Sequence, residues 1–126
     1  MANIEGVCRD VCNATEYVAI VTHGSDGPHL AGHWGSYMFL DVEEGVVVFP
    51  VGRFNKTEQN LRANGRIQLL VASKKVPGTK SPGQGCTIRG SGEIVTSGKY
   101  VDAVRVRFPW ARGALVVRVE GTTTQL

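Results

Sequence analysis

The feature that most constrains the fold of this chain is a repeated change between short β-branched segments and turn residues. Strands are predicted over residues 17–22, 29–40, 46–50, 67–72, 87–96 and 114–119. The chain contains 16 glycines, which permit the bends that such strands need, and it has too few helical segments to cover a parallel sheet. We therefore predict a mainly β fold in which six antiparallel strands form a closed or nearly closed barrel.

Turn residues define the expected connections of the second predicted strand. Residues 25–28 are Ser, Asp, Gly and Pro, which favour a tight turn, and the acidic turn at residues 43–45 sends the chain back. These turns predict that the first three strands form a meander. A loop rich in Gly and Pro is expected over residues 77–85.

Three short segments have the patterning of helices. The first has apolar residues at helical spacing on one face, namely Ile4, Val7, Cys8, Val11 and Cys12. The second is expected from about Lys56 to Ala63, because Asn55 stands three residues before Glu58 and its short polar side chain can cap free N–H groups. It ends at Asn64 and Gly65. The third covers residues 100–107, so two or three short helices are expected beside the barrel.

Length and composition limit the class of protein. A chain of 126 residues with 42% hydrophobic and 20% charged residues is typical of a globular protein, and we expect a single domain over residues 1–126. The longest apolar run, residues 46–51, is far shorter than the ~20 residues that span a membrane. No basic start followed by an apolar stretch marks a secretion signal. These features predict a soluble cytoplasmic protein with no membrane partner.

Cysteine usage and charge exclude further classes. Cys8, Cys12 and Cys86 are an odd number without C-x-x-C spacing, which argues against a disulfide framework and a zinc site. Cys8 and Cys12 are predicted core residues, and Cys86 has no assigned role. The formal net charge of +3 comes from scattered Lys and Arg. Binding of nucleic acid is therefore not expected, whereas a small anionic ligand is compatible with this charge.

The segment over residues 50–60 combines a strand end, Gly52 and a helix start. A helix N-terminus beside Lys56 and Thr57 offers N–H donors, a cation and a hydroxyl, which are the groups that bind a phosphate. Gly52 would let the backbone approach such a ligand closely. The alternative is that Asn55 only caps the helix and Lys56 is solvated. A lysine opposes the helix dipole at that place, however, and an anion would explain it.

Trp34 lies on a predicted strand between Gly32 and Gly35. Exposed backbone beside a large aromatic face is an arrangement that a planar heterocycle can lie against. The alternative for Trp34, and equally for Trp110, is a place in the hydrophobic core.

Three histidines lie on or near the first predicted hairpin, namely His23, His29 and His33. Metal ligands must converge and need partners of their own, which this spacing does not indicate. We therefore predict no metal site. No set of Ser, His and Asp for nucleophilic catalysis is identifiable either.

Four sequence segments carry a resemblance to a known family. They are HLAGHWGSY, VVVFPVGRFNKTEQNL, IRGSGEI and FPWARGALVVRV, in this order. Together they resemble the small FMN-binding proteins of the split β-barrel superfamily, which includes pyridoxamine-phosphate oxidase. The resemblance extends over residues 18–126 and implies a six-stranded antiparallel split barrel. Its most specific element is the run of Gly52, Asn55, Lys56, Thr57 and Glu58.

The resemblance implies FMN held without a covalent bond between the two subunits of a homodimer. Lys56 and Thr57 would contact its phosphate. Trp34 would flank the isoalloxazine ring, Trp110 would lie near it, and Leu126 would approach from the partner subunit. The full set of cofactor-binding residues expected from the resemblance is Gly32, His33, Trp34, Ser36, Pro50, Val51, Gly52, Asn55, Lys56, Thr57, Trp110 and Leu126.

Two places depart from the usual pattern of this family. The family more often has Asn and a hydroxyl residue just before the tryptophan, where this chain has Gly32 and His33. Thr15 takes the place of an acidic residue near the first strand, and Glu16 follows it. If His33 points at the flavin ring, its ionisation near neutral pH would couple the reduction potential to pH.

The function expected from the resemblance is that of a flavoprotein in electron transfer or flavin-dependent reduction. Its redox partner would be another protein or NAD(P)H. Alternatives are an NAD(P)H-dependent flavin reductase and an enzyme like pyridoxamine-phosphate oxidase, although the chain is short for the additional substrate-binding elements of that enzyme. A non-catalytic barrel that binds a small ligand or a nucleic acid is the alternative from a different class.

Overall fold

Seven antiparallel strands and three α-helices make up the structure, a computed structural model that describes residues 4–126. The strands are β1 (Tyr17–Gly24), β2 (Gly27–Trp34), β3 (Phe39–Asp41), β4 (Val46–Val51), β5 (Arg66–Pro77), β6 (Pro82–Val95) and β7 (Gly113–Thr124). The helices are α1 (Gly6–Ala14), α2 (Asn55–Asn64) and α3 (Lys99–Arg107), and a 3-10 turn covers Gly35–Tyr37. The predicted mainly β class with short helices is confirmed.

The prediction of one strand over residues 29–40 is wrong, because the chain bends at Gly35. The Gly35 N–H donates to the Glu16 carbonyl at 2.8 Å. A Cβ on Gly35 would lie 2.0 Å from the carbonyl oxygen of Thr15, so only glycine permits this approach. The bend separates β2 from β3, and residues 4–126 therefore form seven strands rather than the predicted six.

The strand order is β2-β1-β5-β6-β7-β4-β3. β2 pairs with β1, whereas β3 pairs with β4 at the opposite edge, so the predicted meander of the first three strands is wrong. The ladder does not close on itself, as expected for a split barrel. His33 on β2 nevertheless donates from Nε2 to the carbonyl of Pro50 on β4 at 2.8 Å, which joins the two ends of the sheet across the split.

One buried cluster fills the inside of the curved sheet. It combines fully buried side chains of β1, β4, β5, β6 and β7, among them Ile20, Phe49, Leu69, Ile88 and Leu115. Residues of α1 complete it at one side. A second buried cluster lies where α3 packs on the other face of β4 and β7. Apolar side chains on both faces of β4 explain why this strand reads as a continuous apolar run.

The three cysteines lie in the main buried cluster. Burial raises the pKa of Cys12 to about 12. Burial and a hydrogen bond with Cys8 likewise raise the pKa of Cys86 to about 12. The core placement of Cys8 and Cys12 is confirmed, and Cys86 joins them as a neutral thiol that packs like an apolar residue. Val7 was predicted on the same face but is 43% exposed, because it lies about 90° from the centre of the buried stripe on the helix.

The ends of the other helices and loops differ in part from the predictions. Asn55 does not cap α2, because Phe54 occupies the cap position with a left-handed backbone (φ 59°). Gly65 ends α2 as predicted, with its N–H donating to the Leu61 carbonyl at 2.9 Å. The helix predicted over residues 100–107 is confirmed, whereas the loop predicted over residues 77–85 is shorter, because β6 already begins at Pro82. No helix within residues 4–126 combines the length and the apolar character that a membrane crossing requires.

Candidate functional site

A cleft of about 350 Å³ opens at the split, between β2 and the connection from β4 to α2. Its lining residues are Tyr17, Gly32, His33, Trp34, Gly52, Arg53, Phe54 and Trp110. The cleft therefore contains five of the residues predicted to bind a cofactor: Gly32, His33, Trp34, Gly52 and Trp110. Its volume falls within the range of small-molecule sites, about 300–1,000 Å³.

Two tryptophans contribute aromatic surface to the cleft. Trp34 is 52% exposed and Trp110 is 55% exposed, so the alternative of a core position is wrong for both. The Trp34 ring meets the Tyr17 ring edge to face at a centroid distance of 5.3 Å. The Trp110 ring packs on Phe108 at 5.7 Å. Each indole is thus supported by another ring while much of its surface stays free.

Two glycines in the cleft make room for aromatic side chains. A Cβ on Gly32 would lie 2.1 Å from the Tyr17 hydroxyl, so the Tyr17 ring covers this glycine. The predicted exposed backbone around Trp34 is therefore wrong: Gly32 faces Tyr17, and Gly35 is buried against Thr15. A Cβ on Gly52 would lie 3.3 Å from the Trp110 ring.

His33 is engaged on both ring nitrogens. Its Nε2 donates to the Pro50 carbonyl at 2.8 Å, and its Nδ1 accepts the Trp34 N–H at 3.0 Å. These two bonds require the neutral ring with its proton on Nε2. Burial lowers the pKa of His33, and the bond to Pro50 only partly opposes this. The structure thus favours a His33 that stays neutral near neutral pH, contrary to the expectation of a titrating group beside the ring.

The N-terminus of α2 continues directly from the Phe54 wall of the cleft. Within the described part of the chain, no side chain caps this helix end. The hydroxyl of Thr57, a residue that is 1% exposed, has no hydrogen-bond partner among residues 4–126. A buried hydroxyl without a partner costs about 1–3 kcal/mol. Free N–H groups at a helix start together with an unpaired buried hydroxyl fit an anionic group, because the helix dipole favours negative charge at this end.

Lys56 forms an ion pair at this helix start, so the alternative of a merely solvated lysine is wrong. Its Nζ lies 3.0 Å from Oδ2 of Asp26, in the turn between β1 and β2. The hydrogen bond from Lys56 lowers the pKa of Asp26. Both side chains are more than one-third exposed, so the pair is weak and can open. Lys56 is therefore available to an incoming anion at small cost.

The geometry of this cleft agrees with a comparison to known protein families. The pyridoxamine 5'-phosphate oxidase family matches residues 4–126. The chain belongs to this family. The family resemblance expected from the sequence is confirmed.

The chain is also similar to individual proteins of known sequence or structure. The chain is 40% identical over 116 residues to the "FMN-binding protein" of Nitratidesulfovibrio vulgaris (strain DSM 19637 / Miyazaki F). The aligned residues cover 92% of this chain and 93% of that relative. A crystal structure of a HupZ variant from Group A Streptococcus superposes with a TM-score of 0.78 at 18% identity, over 97% of this chain and 99% of the other. An FMN-binding protein from Syntrophomonas wolfei subsp. wolfei gives a TM-score of 0.69 at 13% identity, over 94% and 83%. Both structures share the fold.

Other predicted site residues of this family member lie near the cleft without lining it. Pro50 and Val51 are buried at the end of β4, and Pro50 reaches the site through the carbonyl that binds His33. Ser36 is exposed on the 3-10 turn. Asn55 is exposed at the start of α2, followed by Lys56 and Thr57.

Leu126 does not line the cleft of its own chain. It lies beside a separate pocket with Gln84 and Lys74. The buried amide of Gln84 accepts the Leu126 N–H at 2.6 Å and donates to the Leu126 carbonyl. The Leu126 side chain is 64% exposed. The backbone of Leu126 is therefore held in place while its side chain projects outward.

Three lining residues of the cleft were not predicted from the sequence, namely Tyr17, Arg53 and Phe54. Tyr17 is brought to the site by its register opposite Trp34 in the β1–β2 ladder, and only strand pairing could have indicated this. Arg53 and Phe54 lie inside the segment that was recognised, between Gly52 and Asn55, so their position in that loop was the available signal.

Among residues 4–126, no group of three or more His, Cys, Asp or Glu side chains is arranged to hold a metal ion.

Proposed function

We propose that this chain binds FMN in the cleft and serves as a flavoprotein in electron transfer or flavin-dependent reduction. The unpaired, buried Thr57 hydroxyl carries this proposal, because it lies at a helix start that adjoins an aromatic cleft. An aromatic surface and an anion site side by side match the two ends of FMN. The name of the relative from Nitratidesulfovibrio vulgaris supports the choice of cofactor.

The residues present fit the two ends of FMN. Trp34 and Trp110 would contact the ring system, and Thr57, Lys56 and the N–H groups of α2 would hold the phosphate. Lys56 would exchange the Asp26 carboxylate for the phosphate, a stronger partner with about two negative charges. Bound FMN would supply the redox chemistry, and the protein would supply position, hydrogen bonds and exclusion of water.

We also propose that the protein acts as a homodimer. The outer face of the β2-β1-β5 end of the sheet exposes Leu30 (71%) and Leu70 (47%). The ladder registers place Leu30 opposite Val21, and Leu70 opposite Ala19. This apolar face continues into the cleft through Tyr17 on β1, which suits cover by a second copy. Leu126, held by Gln84 outside its own cleft, would then reach the partner's flavin.

The electron donor decides between electron transfer and flavin-dependent reduction. His33 lines the cleft, and both of its ring nitrogens are already engaged. The electron donor would be a redox protein or NAD(P)H. Bleaching of the bound flavin by NADH or NADPH alone would assign the reductase role, whereas a flavin that both leave oxidised would assign the role of a carrier between proteins.

The first test is the absorbance spectrum of the purified protein, followed by titration with FMN and with riboflavin, which lacks the phosphate. Two visible flavin bands and uptake of FMN are expected. Thr57→Val should weaken FMN binding about tenfold or more, because a hydrogen bond to a charged group is lost, and should leave riboflavin binding and the stability of the free protein unreduced. Thr57→Ser, which keeps the hydroxyl, is the control. A colourless protein that takes up no FMN would contradict the proposal.

A further inference from the structure

Arg112 lies outside the cleft but holds the loop that forms one of its walls. Its Nε donates to the Gly52 carbonyl at 3.0 Å, and its Nη2 donates to the Arg53 carbonyl. Nη2 also contacts Oε1 of Glu58 on α2 at 3.0 Å. The backbone N–H of Arg112 donates to the Val51 carbonyl at 2.9 Å. One arginine therefore binds three successive carbonyls and the helix that follows them.

These contacts determine the direction of two N–H groups. The peptide bonds among residues 4–126 are trans, so each N–H points opposite to the carbonyl of the same peptide. Because the Gly52 and Arg53 carbonyls point at Arg112, the N–H groups of Arg53 and Phe54 point away from it. Neither N–H donates to a backbone carbonyl among residues 4–126. Arg53 and Phe54 line the cleft together with both tryptophans.

The loop needs an external hold because its backbone is strained. Phe54 has φ 59°, and it is the sole non-glycine residue with positive φ within residues 4–126. Such a conformation persists only where the surroundings enforce it. Its carbonyl is held by the Glu58 N–H at 2.8 Å, and Arg112 holds the two preceding carbonyls.

Arg112 is itself anchored to α3. Nε of Arg105 donates to the Ala111 carbonyl at 2.9 Å, and Nη2 of Arg105 donates to the Arg112 carbonyl at 3.2 Å. The segment that carries Trp110 and the loop that carries Gly52 are therefore connected by two arginines. The position of Trp110 and the position of the Gly52 loop therefore depend on the same hydrogen bonds.

We propose that Arg112 is a positioning residue that directs the N–H groups of Arg53 and Phe54 at acceptor atoms of the flavin ring. This inference rests on the proposed binding of a flavin. The ring is favoured over the phosphate as the acceptor, because Arg53 and Phe54 line the same cleft as the tryptophans, whereas Lys56 and Thr57 do not. Donors at the ring edge stabilise the negative charge of the reduced flavin. Arg112 thus raises the reduction potential without touching the flavin.

The test compares the reduction potential of bound FMN and bound riboflavin in three variants. Arg112→Met should weaken binding of the reduced flavin about tenfold relative to the oxidised flavin, as expected for a misplaced hydrogen bond to a charged group. The same loss is expected with riboflavin. Arg112→Lys, which keeps the charge beside Glu58 but lacks the planar set of donors, should give a smaller loss. Arg62→Met is the matched control, because Arg62 also pairs with Glu58, at 3.1 Å, but is a surface residue.

The outcomes separate this inference from the proposed function. If the wild-type protein binds no flavin, the proposed function fails first. If it binds flavin and Arg112→Met leaves the potential unchanged, or changes only the affinity for FMN and not for riboflavin, the positioning role is wrong. If Arg112→Met does not fold, Arg112→Lys carries the same comparison, and an unchanged potential in a folded Arg112→Lys protein overturns the inference.

Discussion

The two walls of the cleft differ in how far their polar groups are satisfied within the protein. On the β2 wall, both nitrogens of His33 are engaged and Gly32 is covered by Tyr17. On the β4–α2 wall, the N–H groups of Arg53 and Phe54 donate to no backbone carbonyl among residues 4–126, and beyond this wall the buried Thr57 hydroxyl has no partner among the same residues. The first wall therefore offers mainly aromatic surface, and the second offers hydrogen bonds. We infer that polar recognition of the ligand belongs to the second wall.

The largest expected effect concerns the outer side of the β2 wall, where Leu30 would be covered in a dimer. Leu30→Asp places a charge in that interface twice, and it should raise the dissociation constant of the dimer at least about a hundredfold, because a buried unpaired charge costs several kcal/mol. Val106→Asp is the control, since Val106 is 82% exposed on α3. Sedimentation velocity measures both. A Leu30→Asp protein that remains dimeric would show that the dimer interface lies on another surface.

A second prediction concerns the charge of Lys56 at the start of α2, next to the β4–α2 wall. Lys56→Met should weaken FMN binding roughly 10- to 100-fold, the value of a hydrogen bond between charged groups, and leave riboflavin binding unchanged. Asp26→Asn should strengthen FMN binding slightly, because it removes the carboxylate that competes for Lys56. Titration calorimetry with both ligands measures the difference. Equal losses for FMN and riboflavin would show that Lys56 does not serve the phosphate.

Substitution of an aromatic residue on the β2 wall should instead affect the binding of FMN and riboflavin alike. Trp34→Ala should weaken FMN and riboflavin equally, by about tenfold, because stacking contributes about 0.5–1.5 kcal/mol beyond the buried area. Its effect on thermal unfolding should be small, since Trp34 is half exposed. Phe49→Ala is the contrasting core variant, and it should destabilise the protein by about 3–5 kcal/mol. A Trp34 effect limited to FMN would contradict the separation of roles between the walls.

The smallest expected effect is the pH dependence that comes from His33. Its pKa is lowered in the folded protein below the usual value near 6.5, so the unfolded chain binds the proton more readily. The contribution to stability is therefore complete above about pH 6.5 and decreases as the pH falls below it, with a slope of at most about 1.4 kcal/mol per pH unit for one proton.

The His33→Gln variant should flatten that part of the profile of unfolding free energy. The reduction potential should show the same pH dependence in His33→Gln as in the wild type. A pH dependence lost in this variant would restore the hypothesis that His33 titrates beside the ring.

Several parts of the fold and the site could be predicted from the sequence because they depend on local patterns. Strand segments follow from β-branched residues between turns, and the end of α2 follows from Gly65. Cys8 and Cys12 follow from helical spacing. The family follows from four segments in order, and it identifies Gly52, Trp34 and Trp110 as cleft residues.

Other features could not be predicted because they depend on residues far apart in the chain. The division of one predicted strand into β2 and β3 depends on the contact of Gly35 with Thr15. Lys56 pairs with Asp26 across 30 residues of sequence. The state of His33 depends on the Pro50 carbonyl, which lies on the other side of the split.

The sequence by itself determined the family, the kinds of elements and the residue types of the site, since these follow from short-range periodicity and turn chemistry. The tertiary structure alone decided which polar groups are satisfied and which are left for a ligand. The contact of Arg112 with Gly52 spans 60 residues, and it determines where two N–H groups point. Such directions arise only when the sheet has folded around its core, because a hydrogen bond depends on the position of both partners in space.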